Sequence, residues 1–211
     1  MLNVNLPSNN RPSLTPASPR VSWDEFHDAW DREHRTEWVD GVLIEVSPEN
    51  VRHLFLTDFL VALIRFVARG DNLGIVLHSN FIMRLRLRPS GRVPDIMFVA
   101  TEHLDRVKDT YLDGPADLAI EIVSPQSVTR DRAEKLAEYE QAGIPEYWII
   151  DESRKEALFY VLAADGQYRR VAPAEDGIFT SSILPGLRVR LSWLWQWPLP
   201  ELEDALADLP A

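Results

Sequence analysis

Two short apolar runs, each carrying one carboxylate, constrain this chain more than any other feature: Val93-Pro94-Asp95-Ile96-Met97-Phe98-Val99 and Asp117-Leu118-Ala119-Ile120-Glu121-Ile122-Val123. Branched and aromatic residues crowd both runs and turn residues bound them, so both read as buried strands. Each carries an acid into a core, where an ionised carboxylate is costly unless it meets a cation. Two such acids on successive strands ask for a shared partner, and the simplest is a metal ion. A polar turn, Ser124-Pro125-Gln126-Ser127, follows, and then a helix expected over about residues 130–142 that contains Lys135. Two acids and a lysine on strand, strand and helix are the parts of a metal-dependent phosphodiesterase.

The rest of the chain reads as scaffold. Ser22 and Glu25 form a capping box, so a helix is expected over about residues 23–33, with Trp23, Phe26 and Trp30 on one side. Glu37-Trp38-Val39 and Val42-Leu43-Ile44-Glu45-Val46 flank Asp40-Gly41, a hairpin signal because a type I′ turn needs positive φ at both central residues. Glu45 reads as a solvent-facing strand position. A long helix is expected over about residues 50–69, closed by Gly70, with Val51, Leu54, Phe55, Leu60, Leu63, Ile64 and Val67 filling more than one narrow stripe. His53 near its start reads as a capped or half-exposed surface residue outside the site.

Residues 73–79 and 81–87 read as strands of a meander leading to Asp95. In the second, Phe81, Met83, Leu85 and Leu87 alternate with Ile82, Arg84 and Arg86. One face is then buried and the other basic, which suits phosphate contact and a solvated edge strand equally. Residues 101–113 read as a polar loop with at most one helical turn. On the helix after the second acid, Asp131, Lys135 and Tyr139 follow at four-residue spacing, as an exposed ion pair or as part of the site. A strand over 144–151, a hairpin over 155–162 and 167–171, and a short strand over 178–181 complete the pattern. Trp193, Trp195 and Trp197 near the end make an apolar patch that docks on the sheet or meets a second copy of the chain.

Pro94-Asp95, then Glu121-Ile122-Val123-Ser124-Pro125, then Asp131 with Lys135 and Tyr139, then Gly143-Ile144-Pro145-Glu146-Tyr147-Trp148-Ile149-Ile150-Asp151 resemble, in order and spacing over about residues 21–195, the Uma-type putative restriction endonuclease family. That family is a branch of the PD-(D/E)XK nuclease superfamily. The resemblance implies an α/β (α+β) fold of restriction endonuclease-like type: a mixed central β-sheet flanked by helices, with extra N-terminal and C-terminal β-hairpins. It also implies a nucleic-acid substrate, with DNA expected. In the wider superfamily a lysine stands two residues after the strand glutamate, where this chain has Val123. The resemblance therefore implies that Lys135 supplies that charge from the following helix.

Asp95, Glu121 and Lys135 are the expected catalytic group. Asp95, Glu121 and the carbonyl of Ile122 are the expected ligands of Mg2+, with Mn2+ as the alternative, because this hard ion takes oxygen ligands and keeps several waters. Tyr139 and Glu45 are further candidates, Glu45 only because the family tends to carry a glutamate there. Arg84, Arg86 and Arg130 are candidates for phosphate contact. A homodimer is expected from the family and from the symmetry of double-strand cutting.

A chain of 211 residues without cysteine fits one domain, expected over 21–198, with a loose tail at 1–20 and an acidic tail at 199–211. Disulfides and thiolate metal sites are excluded, and a reducing cytoplasm is the expected compartment. Residues 1–20 carry no apolar run, so no signal peptide is expected, and no membrane span either. The net charge of -11 argues against a broad nucleic-acid-binding face. Around the two acids the sign reverses, with Arg84, Arg86, Arg88 and Arg92 before Asp95 and Arg130 and Arg132 after the second run. Two rival classes follow: a catalytically inactive nuclease-fold module binding nucleic acid or protein, suggested by Val123 and the acidic charge, and a glycosidase-like carboxyl pair. The tryptophans, mostly at the chain ends rather than beside the acids, count against the last.

Overall fold

The computed structural model describes residues 20–30, 36–46, 49–78, 80–123 and 130–208. Helix α1 (Trp23–Asp28) begins at the expected capping box, with Ser22 Oγ accepting from Glu25 N and the Glu25 carboxylate accepting from Ser22 N. The helix is shorter than expected, ending at Asp28 with Ala29 as its C-cap rather than running to residue 33. Strands β1 (Thr36–Val39) and β2 (Val42–Glu45) form the hairpin, and Asp40 and Gly41 take φ of 48° and 85° at its turn. Helix α2 (Val51–Gly70) starts from Asn50, whose side chain accepts from His53 N. There follow β3 (Gly74–His78), β4 (Ile82–Leu85), β5 (Ser90–Arg92), β6 (Ile96–Ala100), a 3-10 turn (Thr101–Arg106), β7 (Tyr111–Asp113) and β8 (Leu118–Ile122). A π-helical turn (Arg130–Lys135) runs into α3 (Leu136–Ala142), then β9 (Glu146–Asp151), β10 (Glu156–Leu162), β11 (Tyr168–Val171), β12 (Ile178–Thr180), β13 (Arg188–Arg190), a second 3-10 turn (Leu191–Trp195) and α4 (Leu202–Ala207).

The central sheet has the order β11-β10-β9-β8-β6-β3 and is antiparallel except for the β8/β9 pair. A parallel pair needs a crossover, and the π turn with α3 supplies it. Alternation along the strands assigns the two faces. Ile96, Phe98, Leu118, Ile120, Ile122, Trp148 and Ile150 meet α2 and the C-terminal segment. Met97, Val99, Ala119, Val123, Tyr147 and Ile149 meet Tyr139 of α3 and the second sheet. That second sheet, β2-β1-β5-β4-β7, lays Met83, Leu85 and Leu112 on the shared core. Its other face is covered by Trp23 and Phe26 of α1, against Trp38, Ile82 and Val93.

Several expectations change. The run Val93–Val99 is strand only from Ile96, and Val93-Pro94-Asp95 instead carry the chain from β5 in one sheet to β6 in the other. Pro94 has no N–H to offer a ladder, which suits such a passage. The meander is absent, because β3 pairs with β6 while β4 pairs with β5 and β7. Strand β4 is covered from both sides, so Ile82 is buried beside Met83; Leu87 lies past its end and is 80% exposed. Strand β7, three residues long, is too short for its pattern to show in sequence. The expected acidic tail is partly docked, since Ala205 is buried and Leu199, Leu202 and Leu206 pack on the α2 core. Trp193 docks edge-on against Phe59, while Trp197 stays 55% exposed. The expected N-terminal tail and the turn at 124–127 lie outside the described residues, apart from Arg20. Among the described residues no helix is long and apolar enough to cross a membrane.

Candidate active site

Sheet register brings the two acids together. In the antiparallel β6/β8 pair Ile96 faces Ile120 and Met97 faces Ala119, so Asp95, just before β6, and Glu121, just after Ile120, lie at the same end of the pair, close enough for the Asp95 charge to raise the Glu121 carboxyl. Asp95 Oδ2 accepts from the Ile122 amide at 2.7 Å, which ties the strand passage to the end of β8. Glu121 sits on the face that meets α3, and there Lys135 Nζ approaches its Oε1 at 2.8 Å and Tyr139 OH donates to the same oxygen at 3.0 Å.

Lys135 reaches this point because the first turn of its helix is π rather than α. A π turn carries an extra residue, and such turns gather at functional sites. Here it directs both Asp131 and Lys135 inward, leaving them 2% and 3% exposed. Tyr147 OH donates to the carbonyl of Asp131 at 3.0 Å, and Arg132 donates to Asp151 at 2.9 Å and Glu156 at 2.7 Å, which pins the turn to the sheet. Asp131 Oδ1 lies 3.5 Å from the Lys135 ammonium.

A buried acid absent from the sequence expectations completes the cluster. Glu37 of β1 places Oε1 2.9 Å from Lys135 Nζ and accepts from Arg92 at 2.8 Å and from the Val93 amide at 3.2 Å. Arg92 is itself fully buried and donates to Glu138 at 2.6 and 2.9 Å. A chain of alternating charge therefore runs from Glu138 through Arg92, Glu37 and Lys135 to Glu121. Burial by itself would raise the Glu37 carboxyl, but Lys135 and Arg92 overcome it and hold the group down at about 2. Burial would also lower Lys135, yet Glu121, Glu37 and Asp131 raise it, so the ammonium stays charged. Glu121 moves the other way. Burial and the nearby charges of Asp131, Asp95 and Glu37 outweigh Lys135 and push it up. The cluster thus carries more carboxylates than the cations reaching it neutralise, which is the condition a divalent ion relieves.

His53, expected outside the site, stands against it. Its Nε2 lies 3.2 Å from Asp95 Oδ1 and 3.5 Å from Glu49 Oε1. The structure thus gathers Asp95, Glu121, Lys135, Tyr139 and the backbone of Ile122, and it adds Glu37, Asp131, Glu49 and His53. Arg130 is near, with Nε 3.9 Å from Glu37 Oε2. Glu45 is exposed at the end of edge strand β2, across from Thr36. Arg84 stacks on the Trp23 ring at 4.5 Å, and Arg86 is held by both oxygens of Asp113 at 2.9 and 2.7 Å. The sequence signal for Glu37 was Arg92 beside the Asp95 run, a cation that a core accepts only with an acid. For Glu49 and His53 it was their four-residue spacing.

Residues 23–192 match the model of the Uma2 family, described as putative restriction endonuclease. Among solved structures, a putative nuclease belonging to DUF820 from Anabaena variabilis ATCC 29413 superposes with a TM-score of 0.70 at 18% identity, covering 84% of this chain and 98% of that one. At that identity the superposition carries the fold, which is restriction endonuclease-like. No curated protein matches the chain.

Proposed function

The chain belongs to the Uma2 family of putative restriction endonucleases, and from that premise we propose that it hydrolyses phosphodiester bonds of nucleic acid, DNA first, with a divalent ion at Asp95 and Glu121. The observation that carries the reading is the approach of Asp95 and Glu121 at one end of the β6/β8 pair, with Lys135 Nζ 2.8 Å from Glu121. The donor set fits such an ion, since the buried Nε2 of His53 makes no hydrogen bond and carboxylates crowd the site. Asp95 and Glu121 would hold the ion, with the Ile122 carbonyl as an oxygen ligand beside them. When bound, a divalent ion supplies Lewis-acid charge at the phosphate and makes water more acidic.

The protein's own groups do the rest. Lys135 stays protonated, so it acts as a hydrogen-bond donor to the charge that grows on the phosphate oxygens rather than as a base. Glu37 holds the ammonium in place, and Tyr139 holds the Glu121 carboxylate that receives it. Of the three candidates for phosphate contact, Arg130 lies nearest the cluster and is the best for a neighbouring phosphate, because Arg84 and Arg86 are engaged by Trp23 and Asp113. A twofold copy would meet this one through Phe55 and Trp197, exposed rings packed edge-on at 5.3 Å.

Incubation of plasmid DNA and single-stranded RNA with Mg2+ or Mn2+ tests the reading. Cleavage by the wild type, lost in Asp95→Asn and Glu121→Gln with folding intact, is expected; cleavage that survives both substitutions rejects it. A second reading, a nuclease-fold module that binds without cutting, draws on the net charge of -11 and the engaged arginines. It predicts no ion-dependent cleavage of either substrate.

A further inference from the structure

The outer face of α2 carries much of the protein's exposed apolar surface. Val51, Leu54, Phe55 and Phe66 stay exposed along it, and Trp197 adds its exposed ring beside Phe55, with ring centroids 5.3 Å apart. These are five of the eleven large apolar side chains exposed among the described residues, so the surface is gathered on one face rather than scattered. Its layout is ordered. At about 3.6 residues per turn, Asp58 and Arg65 fall on one side of the face, about two turns apart, and Phe55 and Phe66 fall on the other, about three turns apart. Both pairs share a midpoint, to within one residue, just before Ala62. Asp58 and Arg65 are exposed and form no salt bridge among the described residues. Beside Phe66 an open cleft of about 780 Å3 runs along Val67 and Gly70 to the Pro185-Gly186 turn.

We propose that this face is half of a twofold contact between copies of the chain, in which α2 lies antiparallel to its counterpart, Asp58 pairs with the partner's Arg65, and Phe55 with Trp197 seats in the cleft beside the partner's Phe66. The pairing extends the contact through Phe55 and Trp197, on which it rests, and is independent of the cleavage reading. A twofold axis perpendicular to α2 reverses the helix but keeps each side of its face on the same side. Opposite charges then meet twice, and so do the aromatic rings and the clefts. A parallel copy would instead set the charged side against the aromatic one. Ala62 falls at the crossing, where its small side chain lets the two axes approach to about 8–10 Å. Phe55, Phe66 and Trp197 are about half exposed, so at about 150–250 Å2 for a whole ring they bury roughly 300 Å2 per copy. A standard interface buries about 800 Å2 per partner. The rings therefore need Val51, Leu54 and the two charge pairs beside them, and association is expected near micromolar.

The test is sedimentation velocity of the full chain from about 1 to 200 μM, a range that brackets micromolar association. The wild type should pass from monomer to dimer as concentration rises. Asp58→Arg and Arg65→Asp should each weaken the dimer at least about tenfold, since like charges then face each other twice. An equal mixture of the two variants should associate again, because the two reversed charges then meet each other and the two native charges meet each other. Circular dichroism checks that each variant folds; should either fail, Ala62→Glu, at the crossing, is the second block and should also leave a monomer. A wild type that stays monomeric at the top of that range, a dimer that these substitutions leave intact, or a mixture no tighter than either variant alone would overturn the proposal. Plasmid cleavage in the same samples keeps the readings apart: a wild-type monomer that cuts rejects the pairing alone, and a dimer that never cuts rejects the cleavage reading alone.

Discussion

Glu37→Gln removes one buried negative charge and leaves two buried cations facing an amide. Glu37 is fully buried and touches Lys135 at 2.9 Å and Arg92 at 2.8 Å. Its carboxyl is held at about 2 against the ordinary 4.5, and at about 1.4 kcal/mol per pH unit that gap corresponds to about 3 kcal/mol. Breaking a buried ion pair from one side costs about 3–5 kcal/mol, an independent figure that agrees. Because the folded-state value lies below the unfolded one, this stabilisation is fully present above pH 4.5. It drains away as pH falls toward 2. Urea denaturation followed by tryptophan fluorescence should place the variant about 3 kcal/mol below the wild type at pH 7, with the difference roughly halved at pH 3. A difference under about 1 kcal/mol at pH 7, or one that does not narrow in acid, would refute the role given to Glu37.

Tyr147→Phe removes the hydroxyl that holds the Asp131 carbonyl in the π turn; a loss of about 1 kcal/mol is expected from thermal melting, and cleavage should fall because Lys135 is no longer fixed. Gly74→Ala would place a Cβ 2.1 Å from the Val99 carbonyl oxygen across the β3/β6 ladder. Backbone cannot yield there, so the cost should reach at least about 1–3 kcal/mol in denaturant; a neutral substitution would contradict the β3 pairing. Arg86→Ala should leave thermal stability close to that of the wild type, since its side chain is 66% exposed. Its nucleic-acid affinity, measured by gel shift, should stay unchanged because Asp113 already holds the guanidinium.

What the sequence made legible was chiefly local or periodic. Asp40-Gly41 announced a type I′ turn, and the strand runs around Asp95 and Glu121 announced buried acids, because side chain alternation and turn chemistry act within a few residues. Lys135 and Tyr139 were reached through their spacing with the resemblance. Three features were hidden by long-range causes. Glu37 and Glu45 lie on the same hairpin, and only the pairing of β1 with β5, far along the chain, buries one and leaves the other exposed. The π turn has no propensity signature, since it depends on Tyr147 and Asp151 of β9 holding it open. His53 looked like a surface histidine because nothing near it in sequence reveals that the β5 to β6 passage brings Asp95 to the start of α2.

The most direct test of the central claim, that these side chains converge on a divalent ion, is anomalous scattering from crystals soaked in Mn2+ and measured at the manganese edge. The account predicts a peak within ligand distance of an Asp95 carboxylate oxygen, with Glu121 or His53 also in its coordination sphere. Crystals that diffract well and show no peak beside Asp95 would contradict it.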